Sequence, residues 1–311
     1  MPEDRYRQLR RNFRTGNNFF SGEQSVRKEA AVLSACRHPN IVQLFEVIDD
    51  ASCDRVFLVL EYLGGGEIQW RNHNDEPILT VAQSKRIFRD ATLGLQYLHQ
   101  SGVVHGDLKP ANLVWSSDQQ SIVKIIDFGI SHIQEENLNR SRSSSHVREK
   151  SPSNSALFTN EELTKQRGTW YFMAPEVAGF PMDGTSVDTL TSTGNAAVYP
   201  KRPIITKAID IWSLAVTLYC FLFGKFPFQL SSDGNDSHYH TRYMLFKEIC
   251  TQDWTVPDIM GADELPTGGR VAQHQDEVIA LLDYMLRKDP TSRISIDQVK
   301  VSIHLTLSVT L

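Results

Sequence analysis

One stretch of ten residues, Val104-His105-Gly106-Asp107-Leu108-Lys109-Pro110-Ala111-Asn112-Leu113, holds an unusual concentration of chemically capable side chains. An acid, Asp107, is followed by Lys109 two positions on and by Asn112 five positions on, in a loop expected between a helix and a strand. Fifteen residues after Asn112 a second acid opens Asp127-Phe128-Gly129, and Met173-Ala174-Pro175-Glu176 follows. A carboxylate can take a proton from a hydroxyl, and an ammonium can offset charge that develops on an anionic group. An amide oxygen and a second carboxylate make the hard oxygen donor set that small divalent cations prefer. Chemistry of this kind rests on placement and charge neutralisation.

The elements that must place these residues can be read from periodicity and turn signals. Residues 1–26 are polar and Arg-rich (Arg5, Arg7, Arg10, Arg11, Arg14) and are expected to form a flexible basic arm, a solvated tail. Val26, Ala30, Leu33 and Cys36 then follow a helical period that His38-Pro39 ends. Strands are expected over Ile41 to Ile48 and Arg55 to Leu60, on either side of an acidic turn at Asp49-Asp50. Gly64-Gly65-Gly66 breaks the pattern, and Thr80 is the expected N-cap of a helix through Phe88, Leu93, Leu95 and Leu98. Ile211 to Gly224 is apolar on nearly every face, the mark of a helix buried in a domain centre. Serine-rich residues 139–155 and the Thr/Ser/Gly/Pro-rich stretch 181–203 read as surface insertions. Val301 to Leu311 alternates as a strand does. His238 and His240 are expected in a polar loop and lack the fuller ligand set of a zinc site.

Composition narrows the setting. The chain has 311 residues, 41% hydrophobic and 22% charged, which is the make-up of an ordinary globular protein. Its net charge of −5 offers no global basic field to nucleic acid. The four cysteines are scattered with no C-x-x-C pair, which fits a reducing compartment, and no apolar run is long enough to span a bilayer. A cytoplasmic location is expected, with no nucleic-acid or membrane partner.

His105-x-Asp107-x-Lys109-x-x-Asn112, Asp127-Phe128-Gly129 and Ala174-Pro175-Glu176, in that order, resemble the eukaryotic Ser/Thr protein kinase family. The resemblance implies transfer of the ATP γ-phosphate to a protein hydroxyl, with ATP and Mg²⁺ as cofactors and a protein, another kinase among the candidates, as substrate. It implies that Asp107 orients the hydroxyl and takes its proton, that Lys109 sits on the γ-phosphate, and that Asn112 and Asp127 ligate Mg²⁺. It assigns Leu60-Glu61-Tyr62-Leu63-Gly64-Gly65-Gly66-Glu67 to the hinge. There the backbone of Glu61 and Leu63 would pair with adenine, Leu60 would be the gatekeeper, Glu67 would face ribose or peptide, and Val114 would floor the pocket. It further implies a helix glutamate at Glu29, a spine of Leu33, Leu44, His105 and Phe128, a central-helix aspartate at Asp210, and a Glu176–Arg293 pair. For Glu29, a solvated helix position is an equal reading. Lys109 and Thr169 favour Ser/Thr over Tyr as acceptor. The likeness extends to calcium/calmodulin-dependent protein kinase kinases and to fungal activators of the AMP-activated kinase, through Glu61 to Trp70 and Leu218 to Gly224.

The sequence also departs from that pattern. It has no G-x-G-x-x-G and no V-A-I-K, and its first lysine, Lys28, is adjacent to Glu29 on the same helix and so cannot face it. Gly106 stands where the family usually has arginine, which puts control by loop phosphorylation in doubt. The expected fold is α+β and bilobal, protein-kinase-like, with a truncated small lobe and a mainly helical large lobe. Its expected divisions are the arm at 1–26, a partial small lobe and hinge at 27–63, and a large lobe at 64–300 with insertions near 134–165 and 180–203. A tail outside the family pattern follows at 301–311, and both ends are expected to reflect an incomplete gene model. The alternative function is a catalytically weak or silent pseudokinase scaffold.

Overall fold

In the chain Asn40-Ile41-Val42, backbone groups two residues apart point the same way, and both find partners on one short strand. Ile125 donates to the Asn40 carbonyl (2.9 Å) and accepts from Val42 (3.0 Å), while the Asn40 side chain donates to Val123 (2.9 Å). Around this seam the computed structural model describes residues 21–50, 55–133, 170–178, 206–230, 238–269 and 276–307. Most of the expected basic arm, both expected insertions and the Gly168-Thr169 pair lie outside the described residues.

The chain divides into two units. The first comprises Met1–Gln69, Lys85–Thr159 and Ile296–His304. It opens with helix α1 (Ser21–Ala35), followed by strands β1 (Leu44–Asp50) and β2 (Arg55–Leu60). The helix begins five residues before Val26, so part of the expected arm is helical. Strand β1 starts later than expected, since Ile41 makes only an isolated bridge to Ile125. Strands β1 and β2 pair antiparallel, with Ile48 opposite Phe57 and Val47 opposite Leu58. Arg27 of α1 holds Asp49 by two contacts (2.7 and 3.2 Å), which ties the helix to one face of the ribbon. Ile48 and Phe57 on the other face remain 44% and 50% exposed.

Helix α2 (Val81–Gln100) crosses from one unit to the other in sequence. It starts with a reciprocal capping box: Gln83 donates its backbone N–H to the Thr80 hydroxyl (3.2 Å), and Thr80 N–H donates to the Gln83 side-chain oxygen (2.9 Å). Strand β3 (Gly66–Glu67), β5 (Leu113–Trp115) and β6 (Val123–Ile125) form a three-stranded sheet in the order β3-β5-β6. Strands β4 (Val103–Val104) and β7 (His132–Ile133) pair separately. Gly94 of α2 lets the helix lie directly on the Asn40 seam. A Cβ at Gly94 would come within 2.7 Å of the Asn40 carbonyl oxygen and 2.9 Å of Ile125. Gly94→Ala is therefore expected to lower stability by about 1–2 kcal/mol in urea melts, because overpacking against backbone outweighs the gain in helix propensity.

The C-terminal residues correct the strand expectation. Helix α7 runs Ile296–Leu307, because Ile296, Val299 and Ile303 recur at helical spacing and are 5%, 0% and 6% exposed. Asp297 and Lys300 of α7 both bond Gln96 of α2 (2.6 and 2.9 Å).

The second unit comprises Trp70–Ser84, Asn160–Ser295 and Leu305–Leu311. Its described elements are α3 (Pro175–Ala178), α4 (Ala208–Phe223), α5 (His238–Thr251), β8 (Ile259–Met260), β9 (Leu265–Pro266) and α6 (Glu277–Met285). Every residue of α4 from Ile209 to Phe223 is buried, as its all-round apolar sequence requires. Asp276 caps α6 by accepting from Val278 N–H (2.8 Å). Helix, strand and turn content of this kind makes the chain an α+β protein, as expected.

Candidate active site

The loop from His105 to Asn112 connects β4 to β5 and closes with a single 3-10 turn at Pro110–Asn112. Gly106 has φ +81°, a left-handed conformation that glycine adopts without a Cβ penalty. The departure from arginine at this position therefore has a local backbone reason. Beside it His105 is fully buried and pins the loop at both nitrogens. Its Nδ1 accepts from Asp107 N–H (3.2 Å), which leaves the proton on Nε2 to donate to the Ile126 carbonyl (3.1 Å). Ser131 donates to the His105 carbonyl (3.0 Å).

Asp107, Lys109 and Asn112 converge. The Lys109 ammonium lies 2.6 Å from Asp107 Oδ2, and the Asn112 amide donates to the same oxygen (3.2 Å) and to the Asp107 carbonyl (2.7 Å). Asp107 and Asn112 are 3% and 5% exposed. Asp107 Oδ1 is buried and has no hydrogen-bond partner among the described residues. A charged oxygen left in that condition is costly, and it is a strong acceptor for any hydroxyl delivered to it. Because Asn112 spends its NH₂ on Asp107, its amide oxygen is the end left to a cation.

Asp127 reaches the same neighbourhood through the backbone, since Ile126 N–H donates to the Asn112 carbonyl (3.0 Å). It is exposed and sits at φ +62°, a strained position that aspartate tolerates better than most residues. Gly129 N–H donates to its Oδ1 (3.2 Å). The two oxygen donors, one amide and one carboxylate, fit a hard divalent cation, which would neutralise phosphate charge there.

Glu29 settles against this turn. Its Oε1 accepts from Phe128 N–H (3.4 Å), so the side chain is directed toward that turn and half-buried. Burial raises its pKa; the Phe128 hydrogen bond opposes the rise and nearby Asp127 adds to it. Phe128 is fully buried and meets His105 edge to face at 5.1 Å. Leu33 and Leu44 are also buried, at 1% and 9%.

The residues expected to form the hinge follow β2. Leu60 ends that strand at 39% exposure, and Leu63 is half-buried. Glu61 N–H is committed to the Gln43 carbonyl (2.8 Å), so of its two backbone groups only the carbonyl is available to a purine. Glu67 pairs across the sheet with Val114, which is 7% exposed, and Val114 in turn lies opposite Lys124. Lys124 makes an ion pair with the Glu61 carboxylate (2.9 Å), a contact that motif reading misses. Its signal in the sequence is a lone charge in the apolar run Val123-Lys124-Ile125-Ile126.

All nine candidate positions that handle nucleotide, metal or hydroxyl therefore belong to one unit. Glu176, Asp210 and Arg293 belong to the other. Asp210 is fully buried in the first turn of α4. Arg293 and Glu176 pair by two bonds of 2.7 and 2.9 Å.

Comparison with known proteins bears on the family. The chain is 37% identical over 284 residues to the serine/threonine-protein kinase ssp1 of Schizosaccharomyces pombe, covering 91% of this chain and 35% of that protein. It is 33% identical to the serine/threonine-protein kinase TOS3 of Saccharomyces cerevisiae, over 89% of this chain and 43% of that protein. It is 32% identical to SNF1-activating kinase 1 of the same yeast, over 96% of this chain and 24% of that protein. The chain thus spans less than half the length of these relatives. The protein kinase domain family matches residues 13–303, nearly the whole chain, with every motif around Asp107, Asp127 and Glu176 inside the match. On that match the chain belongs to the protein kinase domain family.

Proposed function

We propose that this chain is the catalytic domain of a serine/threonine protein kinase that transfers the γ-phosphoryl group of ATP, with Mg²⁺, to a hydroxyl of a protein substrate. The observation that carries the reading is the state of Asp107. One carboxylate oxygen is held by Lys109 and Asn112, and the other is buried with no partner among the described residues. In the reaction Asp107 accepts the hydroxyl proton, the hydroxyl oxygen bonds to phosphorus, and the bond from phosphorus to the ADP oxygen breaks. Lys109 would offset charge on the phosphoryl oxygens, and Asn112 and Asp127 would hold Mg²⁺, which would neutralise phosphate charge. Glu61 and Leu63 offer backbone groups to adenine, over a floor at Val114 and beside Leu60, with Glu67 near the ribose or the peptide.

The substrate is proposed to be another kinase in a signalling cascade, a reading supported by the likeness to SNF1-activating kinase 1. The silent-scaffold alternative rests on the absence of a G-x-G-x-x-G and a V-A-I-K from this sequence, and neither the described geometry nor the relatives add to it.

Thermal stability with and without Mg-ATP tests the assignment. At one hundred times the dissociation constant, ligand should stabilise the chain by about 2.7 kcal/mol. Asp127→Asn should remove the magnesium-dependent part of that shift. An unchanged melt with Mg-ATP would overturn the reading.

A further inference from the structure

Lys124 is 8% exposed, yet it lines an open cavity of about 370 Å³ together with Arg37, His38, Gln43, Phe45 and Glu61. A buried lysine is retained at a cost in desolvation unless a specific partner uses its charge. Here the partner is the Glu61 carboxylate at 2.9 Å. The same Glu61 oxygen accepts from Gln43 N–H (3.2 Å), and Glu61 N–H donates to the Gln43 carbonyl (2.8 Å). Glu61 is therefore fixed at three points, and its remaining backbone group is the carbonyl assigned to adenine. At its other end Lys124 is rooted in β6, two residues before Ile126, which bonds Asn112, and three before Asp127. Its antiparallel partner is Val114, and residues directly opposite in such a pair share a face, so the lysine stands beside the proposed pocket floor. Among the described residues the other ionisable groups lining the cavity are Arg37 and His38, so no acid there competes with Glu61 for the ammonium. Burial, then Lys124 and Lys300, keep the His38 pKa below its ordinary value, which favours the uncharged ring.

We propose that Lys124 is a positioning residue for nucleotide recognition: its ion pair with Glu61 holds the hinge carbonyl in the register that reads adenine and ties that register to the strand carrying Asp127. The inference rests on the kinase reading and adds to it a residue that touches neither nucleotide nor metal.

Binding of ATP and of ITP, which lacks the 6-amino donor that a hinge carbonyl would read, is measured calorimetrically on the full chain and on its variants. Lys124→Met should weaken ATP binding roughly tenfold, the scale of a small misplacement of a positioned group. ITP binding should change by less than about twofold, because nothing in it reads the carbonyl. Lys124→Arg should restore most of the ATP affinity. The double variant Lys124→Met/Glu61→Gln should bind no worse than Lys124→Met alone, because one contact is lost once. Equal losses for ATP and ITP would mean general destabilisation and overturn the proposal, as would additive losses or an unchanged ATP affinity. Should Lys124→Met fail to fold, Glu61→Gln carries the same ATP/ITP test, since it keeps the shape and removes only the charge. If the unmodified chain binds neither nucleotide, the kinase reading itself falls. If it binds ATP and the variants match it, only the role of Lys124 falls.

Discussion

Asp107→Asn is expected to lower phosphoryl transfer to a serine- or threonine-containing peptide by about a thousandfold, the middle of the range for a positioned general base. The amide keeps the volume of the carboxylate and can still meet Asn112, but it cannot take up a proton. The Lys109 ammonium, 2.6 Å from Oδ2 in the native protein, would also lose its counter-charge. The loss should fall on kcat, with the KM for ATP nearly unchanged, because no hinge or metal ligand is altered. Nucleotide binding measured separately guards against a folding artefact. Retained turnover with intact folding would remove Asp107 from the role of base, whereas a loss confined to KM would move it to substrate binding.

The second large effect is on stability and belongs to the other unit. Arg293 spends its guanidinium on four different groups: Glu176 through two bonds, and the carbonyls of Ala208 (2.7 Å), Arg287 (2.9 Å) and Lys288 (3.2 Å). Its side chain and that of Glu176 are 0% and 5% exposed. The guanidinium also lies 5.2 Å from the centre of the Trp212 ring, which stacks on Phe228. Arg293→Met would leave a buried carboxylate and three carbonyls without their donor. The expected cost is about 3–5 kcal/mol. In a chain of this size that corresponds to a melting shift of about 10 °C, to be read by calorimetry or circular dichroism. Glu176→Met combined with Arg293→Met should recover part of the loss, because the uncompensated charge is then gone. A melt of the single variant within 2–3 °C of the unmodified chain would show that solvent reaches the pair, contrary to its burial.

These two sites differ in how they could be foreseen. Asp107, Lys109 and Asn112 are close in sequence, and a loop with a 3-10 turn places such neighbours together with little help from elsewhere. Their convergence was therefore legible from spacing alone. So was the buried helix at Ala208–Phe223, since an element apolar on all sides has nowhere else to go. The Arg293–Glu176 pair spans 117 residues, and only family resemblance pointed to it.

Other features were misread or missed for identifiable reasons. Val301 to Leu311 alternates locally, yet Ile296, Val299 and Ile303 form a helical stripe that buries against the first unit, and burial outweighed a short alternating pattern. The start of α1 was placed late because its first turns carry polar residues with no apolar period to mark them. Glu29 was ambiguous because a helix glutamate reads the same whether it faces water or a backbone amide. Only the fold brings Phe128 N–H to it across 99 residues.

The sequence by itself determined which chemistry is possible here: the acid, the lysine and the oxygen donors, their order, and the family they belong to. Local spacing and side-chain type suffice for that, because they are properties of short segments. Tertiary structure alone decided which oxygen of Asp107 is left without a partner, that Glu29 turns toward Phe128, and that Lys124 reaches Glu61 from another strand. Each of those depends on burial and on contacts between residues far apart in the chain, and the free energy of a buried charge is set by the groups that surround it.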